Sequence, residues 1–348
     1  MAVTLPSDFF LPQLALQYMR QGFYESLQPM QRLVSQTDMK APICLVNDPT
    51  MEVSQYVQGP TFARMGTGSV SLRDITSNSA PPPIKITAVN DIGVKCHRKA
   101  GPFEWTLDAA RLAGLGNDDM TRAAAVTQEI ATQVGEYLGL NVQRSLIAAL
   151  RGMVEGMTAA AHTSTVWANN SRTNISPGLL NAGLNLMGDA RDSITHWLFR
   201  SETLQDLYSD AIGRSYSNVG DRALMGNQDT NTLGRVRAIT DDPNLIATPG
   251  GFNKYFTIGM GAQQVYLYFT QPLTMYAPYV ATDRETVTIR LRWDFDFEIR
   301  GRGLAWNTGA GGANPTDAAL VTSSNWTPTY TTHKEVRLVE LVHNYSGA

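Results

Sequence analysis

Residues 286–300 of the chain, TVTIRLRWDFDFEIR, alternate without a slip. Val287, Ile289, Leu291, Trp293, Phe295, Phe297 and Ile299 share one parity; Thr288, Arg290, Arg292, Asp294, Asp296, Glu298 and Arg300 share the other. A period of two predicts a long strand with one apolar and one polar face. The polar face carries three carboxylates, which raises two readings: an acid/base or metal site, or the wet side of a large sheet.

Elsewhere the period changes to that of helices. Residues 12–25 show a helical pattern through Leu14, Tyr18 and Phe23, followed by a Pro-punctuated extended arm. From residue 59 the texture is β-branched and Gly-rich around a Ser-Ala-Pro-Pro-Pro break, which predicts two extended runs folded about a Pro-rich tip. The longest helical signal follows, over 118–156. Asn117 and Asp118 stand as candidate N-caps, and a stripe runs through Leu138, Val142, Leu146, Ile147, Leu150, Met153, Val154 and Met157. Such a rod is on the order of 55–60 Å long. Gly135 and Gly139 within it read as a kink.

A Thr/Ser/Asn-rich linker leads to a second unit. Its first helix is capped by Ser176 with Pro177 at N1. ITHWLF reads as a short buried strand, and RSETLQDLYSDAIG as a helix opened by Ser201 and closed by Gly213. RVRAITDD is a strand, and GGFNKYFTIGMGAQQVYLYF reads as a hairpin-like pair. A short helix over 315–323 and an alternating strand, KEVRLVELVH, complete the chain. The texture is α+β or α/β.

Composition narrows the classes. With 348 residues, 43% hydrophobic and 17% charged, the chain can bury two or three cores, and its surface relies on neutral polar groups more than on ion pairs. A net charge of -3 is not that of a polyanion binder. Two cysteines, Cys44 and Cys96, make no disulfide framework and predict a reducing compartment. The opening residues lack a basic leader and a small-residue cleavage site, and no window reaches the ~18 apolar residues of a spanning helix. The expectation is a protein that folds in the cytoplasm, with no membrane partner.

The chemical motifs fall short of a catalytic constellation. On a strand, same-face neighbours such as Asp294, Asp296 and Glu298 stand ~6.5–7 Å apart, too far to share a small cation without a bulge or further ligands. Arg290, Arg292 and Arg300 share their face, so cross-strand ion pairing is the simpler use. KCHRK, Lys95 to Lys99, lacks the further Cys and His that zinc needs, and reads as a basic segment that meets an acidic surface or phosphates. There is no Gly-x-Ser-x-Gly, and GLGNDD and GMGAQQ are not phosphate-cradling loops. The five histidines are scattered without carboxylate partners at helical or strand spacing; His196 reads as a core or interface residue. No catalytic residue, metal ligand or cofactor is assigned.

In their order, several segments resemble the major capsid proteins of tailed bacteriophages, with the Hong-Kong-97-type fold. They are RTNISPGLLNAGLNLMGDARDSITHWLFRSETLQDLYSDAI, LGRVRAITDDP, KYFTIGMGAQQVYL, IRLRWDFDFEIRGRGLAWN, NPTDAALVTSSNWTPTY and EVRLVELVHN. Upstream, GPFEWTLDAARLAGLGNDDM and the helix after it are similar to the family's arm-to-spine passage. The likeness runs from residue 59 to the end, and departs at FRS, where many relatives have His-Ser.

The resemblance implies an α+β capsid fold. Residues 1–58 would form an N-terminal arm and 59–101 an extended loop. Residues 102–162 with 283–348 would form a peripheral domain with a spine helix at 118–156, and 163–282 a compact axial domain. It implies a non-enzymatic shell protein that assembles with itself as hexamers and pentamers around double-stranded DNA, held by weak non-specific contact. Further partners would be portal, scaffold and decoration proteins, and the location the virion, assembled in the host bacterial cytoplasm. Candidate subunit-interface residues are Arg73, Lys85, Lys95, Arg98, Lys99, Phe103, Trp105, Phe252 and Tyr255. The cross-linking of some relatives is not carried over, because nothing identifies an asparagine acceptor or a catalytic glutamate for Lys85. An encapsulin-like nanocompartment shell shares the fold and stays open, as does a metal-dependent hydrolase using the acidic strand.

Overall fold

A strictly alternating run of this length is satisfied by a long strand covered on one side, and the chain builds one. The computed structural model describes residues 12–26, 33–35, 38, 40–47, 58–62, 88–106, 108, 112, 119–159, 165–167, 174–217, 232–247, 253–269, 274–275, 279–281, 288–330 and 332–344. The first half contains α1 (Pro12–Ser26), β1 (Val34–Ser35), β2 (Ile43–Asn47), β3 (Gln58–Phe62), β4 (Ala88–Ile92), β5 (Val94–Thr106) and α2 (Asp119–Ala159). Then come β6 (Thr165–Trp167), α3 (Pro177–Leu186), β7 (Ile194–Phe199), α4 (Ser201–Ser217), β8 (Val236–Ile239), β9 (Ile246–Ala247), β10 (Lys254–Gly261) and β11 (Val265–Phe269). β12 (Thr274–Met275), β13 (Tyr279–Ala281), β14 (Thr288–Gly301), β15 (Leu304–Trp306), α5 (Thr308–Gly311), α6 (Asp317–Val321), β16 (Trp326–Pro328), α7 (His333–Val336) and β17 (Leu338–His343) follow.

Two large mixed sheets organise the molecule. The first has the order β1-β2-β11-β14-β12, with β13 and β5 also paired to β14. The apolar parity of β14 points inward as its alternation requires: Trp293, Phe295, Phe297 and Ile299 are buried in a core shared with α2. The second sheet has the order β6-β17-β10-β7-β8, with β9 paired to β10. One of its faces joins the same core through Leu198, Ile258 and Leu338. The other packs Trp197, Phe199, Val339 and Leu341 against Leu180 and Leu184 of α3 and Leu204 and Leu207 of α4. Covered on both faces, β17 is buried at all six positions, so the alternation expected of KEVRLVELVH does not set an inside and an outside. The strand also starts later than expected, after α7 and a left-handed Arg337.

α2 carries the predicted stripe. All eight of its expected apolar residues, Leu138 to Met157, are buried. At 41 residues it spans about 60 Å. Gly135 and Gly139 do not break it. They are where α1 crosses: a Cβ on Gly135 would run into the carbonyl oxygen of Met19, and one on Gly22 of α1 into that of Thr132. A second pair, Gly152 and Gly156, admits the Leu320 carbonyl and the Trp326 indole in the same way. The candidate caps Asn117 and Asp118 lie outside the described residues.

Other expectations need correction. β10 and β11 are not a hairpin; they belong to different sheets. The chain changes sheet at Ala262–Gln264, where the N–H groups of Gln263 and Gln264 donate to the carbonyls of Ala41 and Pro42 (2.9 and 2.8 Å), not across a hairpin turn. α4 runs through Gly213 to Ser217. Ser201 turns its hydroxyl and its N–H to Asp241 Oδ1, at 2.7 and 3.0 Å. By contrast the Ser176 cap is as expected, accepting from Leu179 N, with Pro177 first in the helix.

Strand pairing also crosses the expected segments. β17, from 283–348, pairs with β10 and β6, while β11, β12 and β13, from 163–282, pair with partners that include β14. Each large sheet thus draws on both segments.

Candidate functional site

The two charged motifs that stand apart in the sequence are partners in the fold. β5 lies antiparallel on β14 with Lys95 opposite Glu298, His97 opposite Asp296 and Lys99 opposite Asp294. The register slips between Leu291 and Trp293, against the Gly101–Pro102 step of β5, where Gly101 takes φ 95, a conformation that suits a residue without a Cβ. KCHRK therefore does meet an acidic surface, and that surface is the acidic strand of the same chain.

Along this face each carboxylate has a basic partner. His97 Nδ1 lies 2.8 Å from Asp296 Oδ1. Arg292 donates twice to Asp294, at 2.8 and 2.7 Å. Arg300 donates to Glu298 at 3.1 Å and lies over the Tyr268 ring, 4.9 Å from its centre. Arg290 pairs with Glu104 across the strands. Cross-strand and same-face ion pairing is thus the use the alternation favoured. Among the described residues no three His, Cys, Asp or Glu side chains are placed to hold a metal ion. The face is wet only at one end: Glu298 and Lys95 are 1% and 4% exposed.

The candidate interface residues separate on this frame. Lys95 and Tyr255 are each 4% exposed and so are not surface contacts of the folded chain. Lys95 sits in the covered end of the charged face. Tyr255 stacks on His343 with ring centres 6.3 Å apart, and Arg200 lies 5.9 Å from its ring centre. Arg98 is committed internally. Its guanidinium donates to Asn314 Oδ1 at 2.9 Å, to the Pro315 carbonyl at 3.1 Å and to Asn141 Oδ1 at 3.2 Å, and so ties β5 to α2. Phe103 is half-buried against Trp293, Trp105 is half-buried, and Lys99 is exposed. Arg73, Lys85 and Phe252 lie outside the described residues.

Sequence reasoning missed the groups that hold these parts together. Asn314, at φ 50, accepts from His97 N as well as from Arg98. Ser145 donates to Asp317 Oδ1 at 2.7 Å. Asp91, 3% exposed, accepts from Gly303 N at 3.2 Å and Thr329 Oγ1 at 2.7 Å, and thereby fastens the β3–β4 ribbon to the body. All of these contacts are distant in sequence and leave no local signal.

Solved phage capsid structures share the fold, among them the following three. The cyanophage Pam1 capsid asymmetric unit is similar with a TM-score of 0.58 and 12% identity, over 92% of this chain and 93% of that one. The head structure of Helicobacter pylori bacteriophage KHP40 gives 0.52 and 9%, over 91% of both chains. The capsid of Ralstonia phage GP4 gives 0.50 and 9%, over 91% of this chain and 90% of that one. At such identities the likeness establishes the α+β fold, related to that of Hong-Kong-97-type capsids, and no more. No curated protein matches the chain in sequence. A family model described as "Gp13-like: Major capsid protein 13-like" matches residues 47–337. With most of its length inside that match, the chain belongs to the Major capsid protein 13-like family.

Proposed function

We propose that the chain is a major capsid protein that assembles with copies of itself, as hexamers and pentamers, into an icosahedral shell around phage double-stranded DNA. The observation that carries this reading is the family match over 47–337, supported by the capsid folds that align along almost the whole chain. The mechanism is geometric. A rigid body sets curvature, and limbs gain buried area on neighbours.

In this reading α2 is the spine helix, and the seven-stranded sheet on it is the peripheral domain. The six-stranded sheet with α3 and α4 is the axial domain at the centre of each capsomer. Residues 1–58 act as the N-terminal arm, of which α1 and β2 pack on this chain's own body, and 59–101 as the extended loop, whose last residues enter the seven-stranded sheet as β5. The paired base of that loop is a two-stranded ribbon, β3–β4, outside both large sheets. Such a ribbon is marginal alone and gains stability by covering another surface. Lys99, Phe103 and Trp105, on the strand that continues from it, are the described candidates for subunit contact. A net charge of -3 suits a container that holds its genome loosely. Portal, scaffold and decoration proteins are the further partners, and assembly takes place in the host cytoplasm.

Sedimentation velocity and negative-stain microscopy of the purified chain, alone and with scaffold and portal supplied, test the reading. Shells or capsomers are expected. A compact monomer under every one of these conditions overturns it.

A further inference from the structure

Of the five most exposed large apolar side chains among the described residues, four lie on two elements: Tyr137 and Leu140 on α2, Val236 and Ile239 on β8. β8 is the edge strand of its sheet. Leu140 and Ile239 both line a cleft of about 320 Å³, together with Gln143, Arg144, Thr240, Asp241, Asp242 and Pro243.

In this cleft Leu140 and Ile239 are exposed, while Gln143 and Asp242 are buried. Gln143, 6% exposed, donates through Nε2 to Thr240 Oγ1 at 2.6 Å, which leaves its buried Oε1 with no hydrogen-bond partner. A buried amide oxygen in that state is costly, and a donor entering from the cleft relieves it. Asp242 is 5% exposed, and burial raises its carboxyl above the ordinary carboxylate range. One of its oxygens accepts from Asn244 N. Asp241, exposed at the rim, adds a second carboxylate whose Oδ1 already accepts from Ser201 N and Oγ; Arg144, also at the rim, is the one cation in the lining. Exposed apolar groups beside a buried amide oxygen without a donor and the buried Asp242 carboxyl match an aliphatic stem with a cationic head.

We propose that this cleft receives a lysine or arginine side chain from a second copy of the chain, with its stem between Leu140 and Ile239 and its head at Gln143 Oε1 and the Asp241–Asp242 carboxylates. The second copy is the occupant because the proposed shell brings identical chains together at saturating local concentration; the inference rests on that reading. The cleft lies where α2 meets the edge of the six-stranded sheet, so the contact would fix the angle between neighbouring subunits.

Charge sign at the mouth provides the test. Leu140→Lys and Leu140→Glu are compared with wild type for the fraction assembled, by sedimentation velocity, and for the melting temperature of the unassembled chain. A cationic occupant predicts that Leu140→Lys lowers the assembled fraction tenfold or more and Leu140→Glu only a few-fold, at equal melting temperatures. Cryo-electron microscopy of wild-type particles should show a neighbour's Lys or Arg in the cleft. Equal losses with both variants, no loss with either, or particles whose cleft opens to solvent overturn the contact and leave the shell reading standing. Wild-type chain that forms no particle overturns the shell reading and the contact with it.

Discussion

The guanidinium carbon of Arg151 lies 3.7 Å from the centre of the Phe256 ring. Arg151 projects from α2 and Phe256 from β10, so this contact is one of those that join the long helix to the six-stranded sheet. The same guanidinium donates to Glu155 Oε1 at 2.9 Å and to the Asn244 carbonyl at 3.1 Å. The Arg151 side chain is 12% exposed, and a cation over an aromatic face in such surroundings is worth about 2 kcal/mol. Arg151→Met keeps much of the stem but removes the charge and both hydrogen bonds. It should lower stability by about 2–4 kcal/mol in urea titrations. Glu155→Gln, at a partly exposed partner, should change it by less than about 1 kcal/mol. Similar losses from both variants would place the stabilisation in the ion pair and not in the ring contact.

The glycines of α2 give a test in which two physical effects have opposite signs. Helix propensity alone makes Gly135→Ala stabilising by about 1 kcal/mol. The close approach of α1 reverses this, because the new methyl meets the Met19 carbonyl, which is backbone and cannot swing aside. A loss of about 1–3 kcal/mol is expected for Gly135→Ala. Gly178→Ala on α3, where the nearest atom to the new methyl is 3.6 Å away, should be neutral or slightly stabilising. A Gly135→Ala protein more stable than wild type would show that α1 does not pack on α2 at this crossing.

These glycines mark the limit of what the chain discloses in one dimension. Periodicity located β14 and the buried stripe of α2 because burial acts on every second residue of a strand and on a recurring stripe of a helix. Local chemistry located the Ser176 cap, since cap and helix are adjacent. The crossing at Gly135 looked like a kink because the reason for the glycine lies on α1, more than a hundred residues away. For the same reason KCHRK and the acidic strand read as two unrelated motifs, although β5 and β14 pair them residue by residue. Tyr255 stands in the sequence as an interface candidate, and only the pairing of β10 with β17 and β7, which makes β10 a central strand, reveals its burial. The resemblance to phage capsid proteins supplied the global order that these local signals lack.

The charged face of β14 should respond unevenly to neutralisation. Asp294 and Asp296 are partly exposed, and their partners Arg292 and His97 are themselves partly solvated. Asp294→Asn and Asp296→Asn should each cost less than about 1 kcal/mol, and the loss should shrink in high salt. The Glu298 side chain is 1% exposed beside Arg300, so Glu298→Gln should cost about 1–3 kcal/mol with little salt dependence. Thermal melts at low and high ionic strength separate the two behaviours. A large, salt-sensitive loss at Asp294 or Asp296 would contradict the assignment of the exposed pairs as individually weak.

Acid should loosen the six-stranded sheet through His343. Its ring is 3% exposed, with Nε2 3.0 Å from Thr257 Oγ1 and Nδ1 3.0 Å from the Asn344 carbonyl, a pairing that suits a neutral ring donating through Nδ1 and accepting at Nε2. Burial pushes its pKa down to about 4 from the ordinary 6.5, against smaller upward effects from the Asn344 carbonyl and Asp206. The unfolded chain therefore binds the extra proton first. The stability that the neutral ring contributes is whole above pH 6.5 and is lost as pH falls from there towards 4, by about 3 kcal/mol in all. His196, on β7 of the same sheet, is lowered by burial too, so its effect has the same sign. His343→Gln keeps a neutral polar group beside Thr257 and removes the titration. Its melting temperature should fall less steeply than that of wild type between pH 7 and pH 4, with a residual slope from His196. Parallel pH profiles for the two proteins would mean that His343 is not held neutral by the sheet.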